Sequence, residues 1–440
     1  MYEERIQYAL KTFPTEIADE FPTSLPLLDS FRQAHRRKND SFADLEVLLI
    51  QHNLGPFLLR LEALFEEGLR PERTWLVDIP YSTNERVRKE IPKRFGIPDL
   101  QIAPPFRDPI APYSTIQLRR VEDIVYYLAN RVSRSRLLVV DDGAYFVRAL
   151  KNIEDFEPGF TNAFRRRTAI VEQTTRGHRY LEQKEYRRLV EDALDAPVVS
   201  IARCSTKVEF EAPFIGVAAS RAVVNIFARE GIEIDNLGRV AIIGFGPVGQ
   251  AVFHALKDFG HAGSIKVVDT DETKHQRIAE LGGEPHTSLP KEKNFDLVVG
   301  CTGYTSFGFK DWECLSSDAY LVSTSSAAVE FNRKQFVDLA ELYPEDEIEI
   351  VNKEDARKSG IRATLKIRDA QRQRQVAFIH ASFPVNFDGR MECLPTRIIQ
   401  ATHTLLYAAG YQALEANRPG MKWLDPKIDG EIKSRALEYI

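Results

Sequence analysis

Midway along the chain an apolar run, Val240–Ile243, leads into Gly244-Phe-Gly246-Pro247-Val248-Gly249, and a helical pattern follows. These residue types at this spacing cradle the pyrophosphate of a dinucleotide. Gly244 permits the tight turn, Gly246 lets the backbone approach the phosphates, and Gly249 lets helix and strand pack closely. The helix N-terminus adds free amides and the positive end of its dipole. Asp269 ends the next apolar run about 20 residues further on, where an acid accepts hydrogen bonds from both hydroxyls of the adenosine ribose. It would repel a 2′-phosphate, so the expected cofactor is NAD rather than NADP.

The elements that must position this turn are strands over Val240–Ile243, Ile265–Val268, Leu297–Val299 and Ala319–Val322, closed by a β pair before Asn386. The first half of the chain alternates in the same way. Apolar runs end near His52, at Thr74–Ile79 before Ser82-Thr83, at Arg136–Gly143, and at Arg166–Gly177. A fifth segment of strand character runs from Pro197 past Lys207 to Glu211. A Ser-Thr pair after a strand reads as a helix cap. Strands alternating with helices imply parallel sheets covered on both faces. The expected fold is α/β with two domains, a substrate domain and a Rossmann-type NAD domain, and a cleft between them. Residues 1–205 form the first domain, completed by a return helix over 394–415. Residues 219–390 form the second, and 416–440 a C-terminal tail.

Composition narrows the function classes. The 440 residues carry a net charge of −5, so no overall attraction to nucleic acid or an anionic membrane is expected. Basic runs at Arg165–Arg167 and His35–Lys38 read as solvated helix faces. The four cysteines are scattered without a CxxC pair, and no metal-ligand spacing is present. The N-terminus lacks the apolar core of a signal sequence, and no long uninterrupted apolar run occurs. A cytoplasmic protein acting on a small molecule is expected.

Several separated motifs, in order from about His52 to about Leu437, resemble the adenosylhomocysteinase family, NAD-dependent hydrolases of S-adenosylhomocysteine. QHNLGPFLLRLEAL resembles the segment bearing an active-site histidine, placing it on His52. VVDDG resembles the family's Asp-Asp-Gly, whose second acid is Asp142. VEQTTRG resembles its Glu-Glu-Thr-Thr-Thr-Gly, implying that Thr174 and Thr175 hold NAD and that Gln173 replaces a catalytic glutamate. STKVEFE resembles its Thr-Lys-Ser-Lys-Phe-Asp, placing a catalytic lysine on Lys207 and an acid on Glu211. GCTGY and FPVNFDG imply cofactor contacts from Thr302, Gly303 and Asn386. The resemblance also implies a homo-oligomer.

The departures point away from the standard substrate. Two polar residues that read adenine in the family are Leu54 and Pro56 here, and a family histidine falls on Ser326. The resemblance therefore implies retained chemistry on a nucleoside-like substrate with a rebuilt reading site. A sugar hydroxyl is oxidised, the neighbouring C–H becomes acidic, a substituent leaves, water adds, and the hydride returns. A non-catalytic NAD-binding homologue that regulates a partner is the alternative reading.

Overall fold

The computed structural model describes residues 2–14, 19–35, 41–131, 135–291, 294–343 and 347–440; Arg36, Arg37 and Lys38 of the basic run lie outside them. The chain forms two compact α/β units. One comprises Glu16–Phe106, Ser114–Glu211 and Gly389–Ile440; the other comprises Met1–Thr15, Arg107–Tyr113 and Ala212–Asp388.

In chain order the strands of the first unit are β1 (Leu45–Gln51), β2 (Thr74–Asp78), β3 (Arg136–Asp141), β4 (Thr168–Glu172) and β5 (Pro197–Ser200). Those of the second are β6 (Val240–Ile243), β7 (Ile265–Val268), β8 (Glu284–His286), β9 (Phe295–Gly300), β10 (Leu315–Ser323), β11 (Ile348–Ile350), β12 (Leu365–Asp369) and β13 (Arg374–Phe378). The chain returns to the first sheet with β14 (Gly420–Trp423).

The first sheet has the order β14-β5-β4-β3-β1-β2, and every pairing is parallel. All residues of β1, β2 and β4 are buried, as expected where helices cover both faces. Strand order reverses between β1 and β3. In a doubly wound sheet of this order, the loops leaving those two strands turn to opposite faces and open a crevice at their carboxyl ends. The second sheet has the order β11-β12-β13-β10-β9-β6-β7-β8. From β8 to β13 it is parallel, and in order of appearance it reads 3-2-1-4-5-6, the Rossmann arrangement; β12 and β11 extend it antiparallel.

Three sequence expectations differ from the structure. The N-terminal stretch clusters with the Rossmann unit rather than the first, because Ile6, Ala9 and Leu10 of the helix Tyr2–Thr12 are buried and Tyr8 meets the edge of Phe214. The C-terminal stretch is part of the first unit's sheet and not a separate tail, since β14 pairs with β5. Strand structure after Pro197 stops at Ser200; Thr206–Glu211, which holds Lys207, is a π-helical turn. The segment Thr206–Arg229 is, by length and composition, apolar enough to cross a membrane. It is two-thirds buried and its helix Ala212–Arg229 packs on Pro247–Asp258, where a side chain at Gly216 would strike Ala251. That burial makes it a core helix.

Candidate active site

In the first unit the sequence-derived candidates sit just beyond the carboxyl ends of neighbouring strands. His52 follows β1, Asp142 follows β3, Gln173 to Thr175 follow β4, and Lys207 lies in the π-helical turn after β5. His52 and Asp142 flank the point where strand order reverses. His52 Nδ1 lies 2.6 Å from Ser82 Oγ, and Nε2 lies 3.2 Å from Asp142 Oδ2. Ser82 Oγ donates its own hydrogen to the Ile79 carbonyl at 2.9 Å, so it accepts from His52 Nδ1–H. Nε2 and Oδ2 face each other at ion-pair distance, and Oδ2 has no hydrogen-bond partner among the described residues. The His52 ring is thus oriented by Ser82, with Nε2 turned toward the Asp142 carboxylate. Ser82 and Thr83 do not cap the following helix; Asn84 does, accepting from Arg86 and Val87 N–H, while Thr83 Oγ1 donates to Asp78 Oδ2 at 2.6 Å.

Behind this pair lie two fully buried acids. Asp141 accepts from the N–H groups of Tyr145 and Phe146 at 3.1 and 2.8 Å and so caps the helix Tyr145–Phe156. Glu172 accepts from the N–H groups of Gly143, Ala144 and Thr174 and from Thr174 Oγ1. A side chain at Gly177 would collide with the Glu172 carboxylate. Burial pushes the Asp141 carboxyl up to about 7, and burial with the neighbouring Asp141 charge pushes Glu172 well above its usual range. The Thr174 hydroxyl is committed to Glu172 and to the Gly177 N–H, so it reads as a turn-builder. Thr175 Oγ1 reaches the Ala202 carbonyl at 3.5 Å. Gln173 is buried, and its side-chain oxygen has no hydrogen-bond partner among the described residues.

Lys207 Nζ donates to the Gln173 carbonyl oxygen at 3.4 Å. Its turn is set by Asp429 of the C-terminal helix Pro426–Ala436, which accepts from Ser205 N–H at 2.7 Å, Thr206 N–H at 3.2 Å and Thr206 Oγ1 at 2.6 Å. Lys433 of the same helix donates to Glu209 at 2.7 Å. Glu211 is buried and accepts from Thr402 on the return helix Thr396–Glu415, so it braces the turn. Asp429 and Thr402 carried no local signal in the sequence. They are far along the chain, and only the fold brings them to Lys207.

In the Rossmann unit the glycines behave as their spacing implies. Gly244 has φ +100°, a conformation that disfavours other residues. A side chain at Gly249 would strike the Gly244 carbonyl, whereas one at Gly246 would meet nothing within 4 Å. The Gly246 backbone therefore faces open space, as a phosphate cradle requires. Pro247 opens the helix Pro247–Asp258 and its carbonyl accepts from Tyr2 Oη at 2.8 Å; Val248 lies in the same first turn. Asp269 accepts from Phe245 N–H at 2.7 Å, from Asp271 N–H at 2.9 Å and from Lys274 Nζ at 3.0 Å. Burial raises its carboxyl, but the N–H bonds from Asp271 and Phe245 and the Lys274 ammonium more than offset this and hold it below the usual range. The amides of Thr302 and Gly303 both donate to Glu330 at 2.6 Å, and the Thr302 hydroxyl joins them at 2.8 Å. These groups build the turn after β9 around Glu330. Asn386 is buried, four residues beyond Ser382 at the end of three consecutive residues with positive φ, His380 to Ser382.

No family model matches the chain. An uncharacterized protein of Mycobacterium tuberculosis (strain H37Rv) is 25% identical over 380 residues, which cover 84% of this chain and 64% of the relative; a protein of strain CDC 1551 matches to the same extent. The chain thus spans 64% of the length of these curated relatives. Among solved structures, a dipicolinate synthase subunit from Bacillus halodurans is similar over 66% of this chain and 85% of its own, at 11% identity and a TM-score of 0.32. CAD from Helicobacter pylori, complexed with NADP(H), is similar over 24% of this chain and 30% of its own, at 19% identity and a TM-score of 0.19. Likenesses this slight leave the activity to be argued from the site.

Proposed function

We propose that the chain is an NAD-dependent enzyme of the adenosylhomocysteinase kind, which transiently oxidises a ribosyl hydroxyl so that a substituent on a nearby carbon can leave and be replaced by water. The observation that carries this reading is the placement of His52 at the strand-order reversal, where α/β sheets bind substrates, with its ring held by Ser82 and its Nε2 3.2 Å from Asp142 Oδ2. The open face of Gly246, the positive φ of Gly244 and the ionised Asp269 fit a dinucleotide with a free ribose diol. Bound NAD supplies the acceptor and later the donor of the hydride.

The chain's own residues handle the protons. Lys207, held by the Gln173 carbonyl, takes the proton of the sugar hydroxyl as its C–H hydrogen departs. The ketone so formed acidifies the neighbouring C–H. His52 with Asp142 takes that C–H proton and delivers it to the leaving group; it then takes a proton from the water that adds and returns it to the same carbon. Buried Leu54 and Pro56, beside His52, offer no hydrogen bonds from their side chains to an adenine amino group, which supports a substrate other than S-adenosylhomocysteine. Mixing the protein and NAD with adenosine, other nucleosides and their thioethers should give a transient near-ultraviolet absorbance of reduced nicotinamide. Its absence with every compound in that panel would refute the reading.

A further inference from the structure

Three polar atoms around the end of β1 are buried without a hydrogen-bond partner among the described residues: Asn53 Nδ2, Arg60 Nη1 and His403 Nδ1. Asn53 follows His52 in the chain, Arg60 lies on the helix Gly55–Glu66, and His403 lies on the return helix Thr396–Glu415 that packs against it. Arg60 is only 2% exposed. Its one side-chain hydrogen bond runs from Nη2 to the neutral Gln51 Oε1 at 2.8 Å, and among the described residues no carboxylate pairs with it. Burial alone lowers its pKa to about 9. Burial and the nearby charges of Arg60 and His52 hold the His403 imidazole well below its usual range. Asp142 Oδ2 lies 3.2 Å from His52 Nε2 and has no hydrogen-bond partner among the described residues, but it is not among the groups acting on Arg60; Glu211 is turned to Thr402.

A guanidinium in this position is costly unless something offsets its charge. A single orphaned atom is explained by one ordered water. Two donor atoms and an imidazole from different positions, with no carboxylate offsetting the Arg60 guanidinium, call for an acceptor bearing negative charge. His52 and His403 are partly exposed, so the cluster has an edge open to solvent. We infer that Arg60, with Asn53 and His403, forms a subsite beside His52 for an anionic oxygen group of the substrate, a carboxylate or a phosphate. The inference rests on the reading that the β1–β3 reversal is the substrate site, and it deepens that reading by giving the substrate a negative charge.

The test needs no turnover and no NAD. Inorganic phosphate and acetate are titrated separately into the full chain by calorimetry, in a zwitterionic buffer. Saturable binding of one or both is expected, and the anion that binds identifies the group. R60M should weaken it about tenfold or more, as for a lost charge-assisted hydrogen bond. R60M should not lower Tm, since it removes an uncompensated buried charge. H403F, at the partly exposed edge, should weaken binding without unfolding the unit. No saturable binding of either anion to the wild type, or equal affinity in R60M and H403F, would overturn the subsite. Because the cofactor is absent, this failure is separate from a failure of the redox reading, which shows only in nicotinamide reduction.

Discussion

At the end of β7 the Asp269 carboxylate has three donors from its own unit, whereas after β4 the Gln173 side-chain oxygen has none among the described residues. The turn after β9 repeats the pattern of Asp269. In the Rossmann unit Glu330 gathers the amides of Thr302 and Gly303 and the hydroxyls of Thr302, Ser306 and Ser325. Carboxylates there are spent shaping loops, and what they leave open is backbone, at Gly246. In the first unit Asn53, Arg60, Asp142, Gln173 and His403 keep unsatisfied polar atoms, and Asp142 Oδ2 lies 3.2 Å from His52 Nε2. Buried polar atoms left unpaired are costly, so natural chains keep them chiefly where a ligand or water completes them. On the proposed reading, one unit is a backbone cradle and the other a side-chain reaction site.

The most damaging test of this division is Lys207→Ala. Loss of a general base should cut turnover by about 10²–10⁴-fold while cofactor affinity, measured by nicotinamide fluorescence, stays unchanged. Equal loss of both would erase the division of labour. Next comes a pair of glycine substitutions. G249A should destabilise the Rossmann unit by roughly 1–3 kcal/mol in denaturant melts, because the new methyl meets the Gly244 carbonyl. G246A should leave stability intact and weaken NAD binding, since its methyl occupies the open face. A smaller effect is expected at Asp429, whose replacement by Ala removes the acceptor that starts the Lys207 turn. About 0.5–2 kcal/mol of stability should be lost, as for a helix cap. The kcat should fall with KM little changed, which a purely structural role would not produce.

The smallest effect is the pH dependence of stability. The raised carboxyls of Asp141 and Glu172 take up protons more readily in the folded chain than in the unfolded one. Their contribution is complete below the ordinary carboxyl range near pH 4 and is lost as pH rises through about 7, the Asp141 value. The Tm should therefore decline from pH 5 to pH 8, and D141N should flatten that decline.

Much of the Rossmann unit was legible because its signals are local. The glycine spacing, the apolar runs of β6, β7, β9 and β10, and Asp269 all lie within short stretches. The strand ends carrying His52 and Asp142 were legible too, as apolar runs that stop at polar residues. What escaped depends on distant contacts. The β14 strand is four residues with an exposed Trp423, too short and polar to announce itself, and it exists because β5 offers an open edge. The π-helical turn at Lys207 has the β-branched and aromatic content of a strand and is bent by Asp429 from the far end of the chain. Glu330 and His403 matter only through what the fold sets beside them.

The most direct measurement is hydrogen exchange at the sugar. Adenosine and its thioethers, incubated in D2O with the full chain and NAD, are followed by proton NMR at the carbon next to the oxidised hydroxyl. Exchange that requires NAD and disappears in Lys207→Ala is the expected result. Retention of that hydrogen in every compound, with wild-type protein shown to bind NAD, would contradict transient oxidation as the work of this fold.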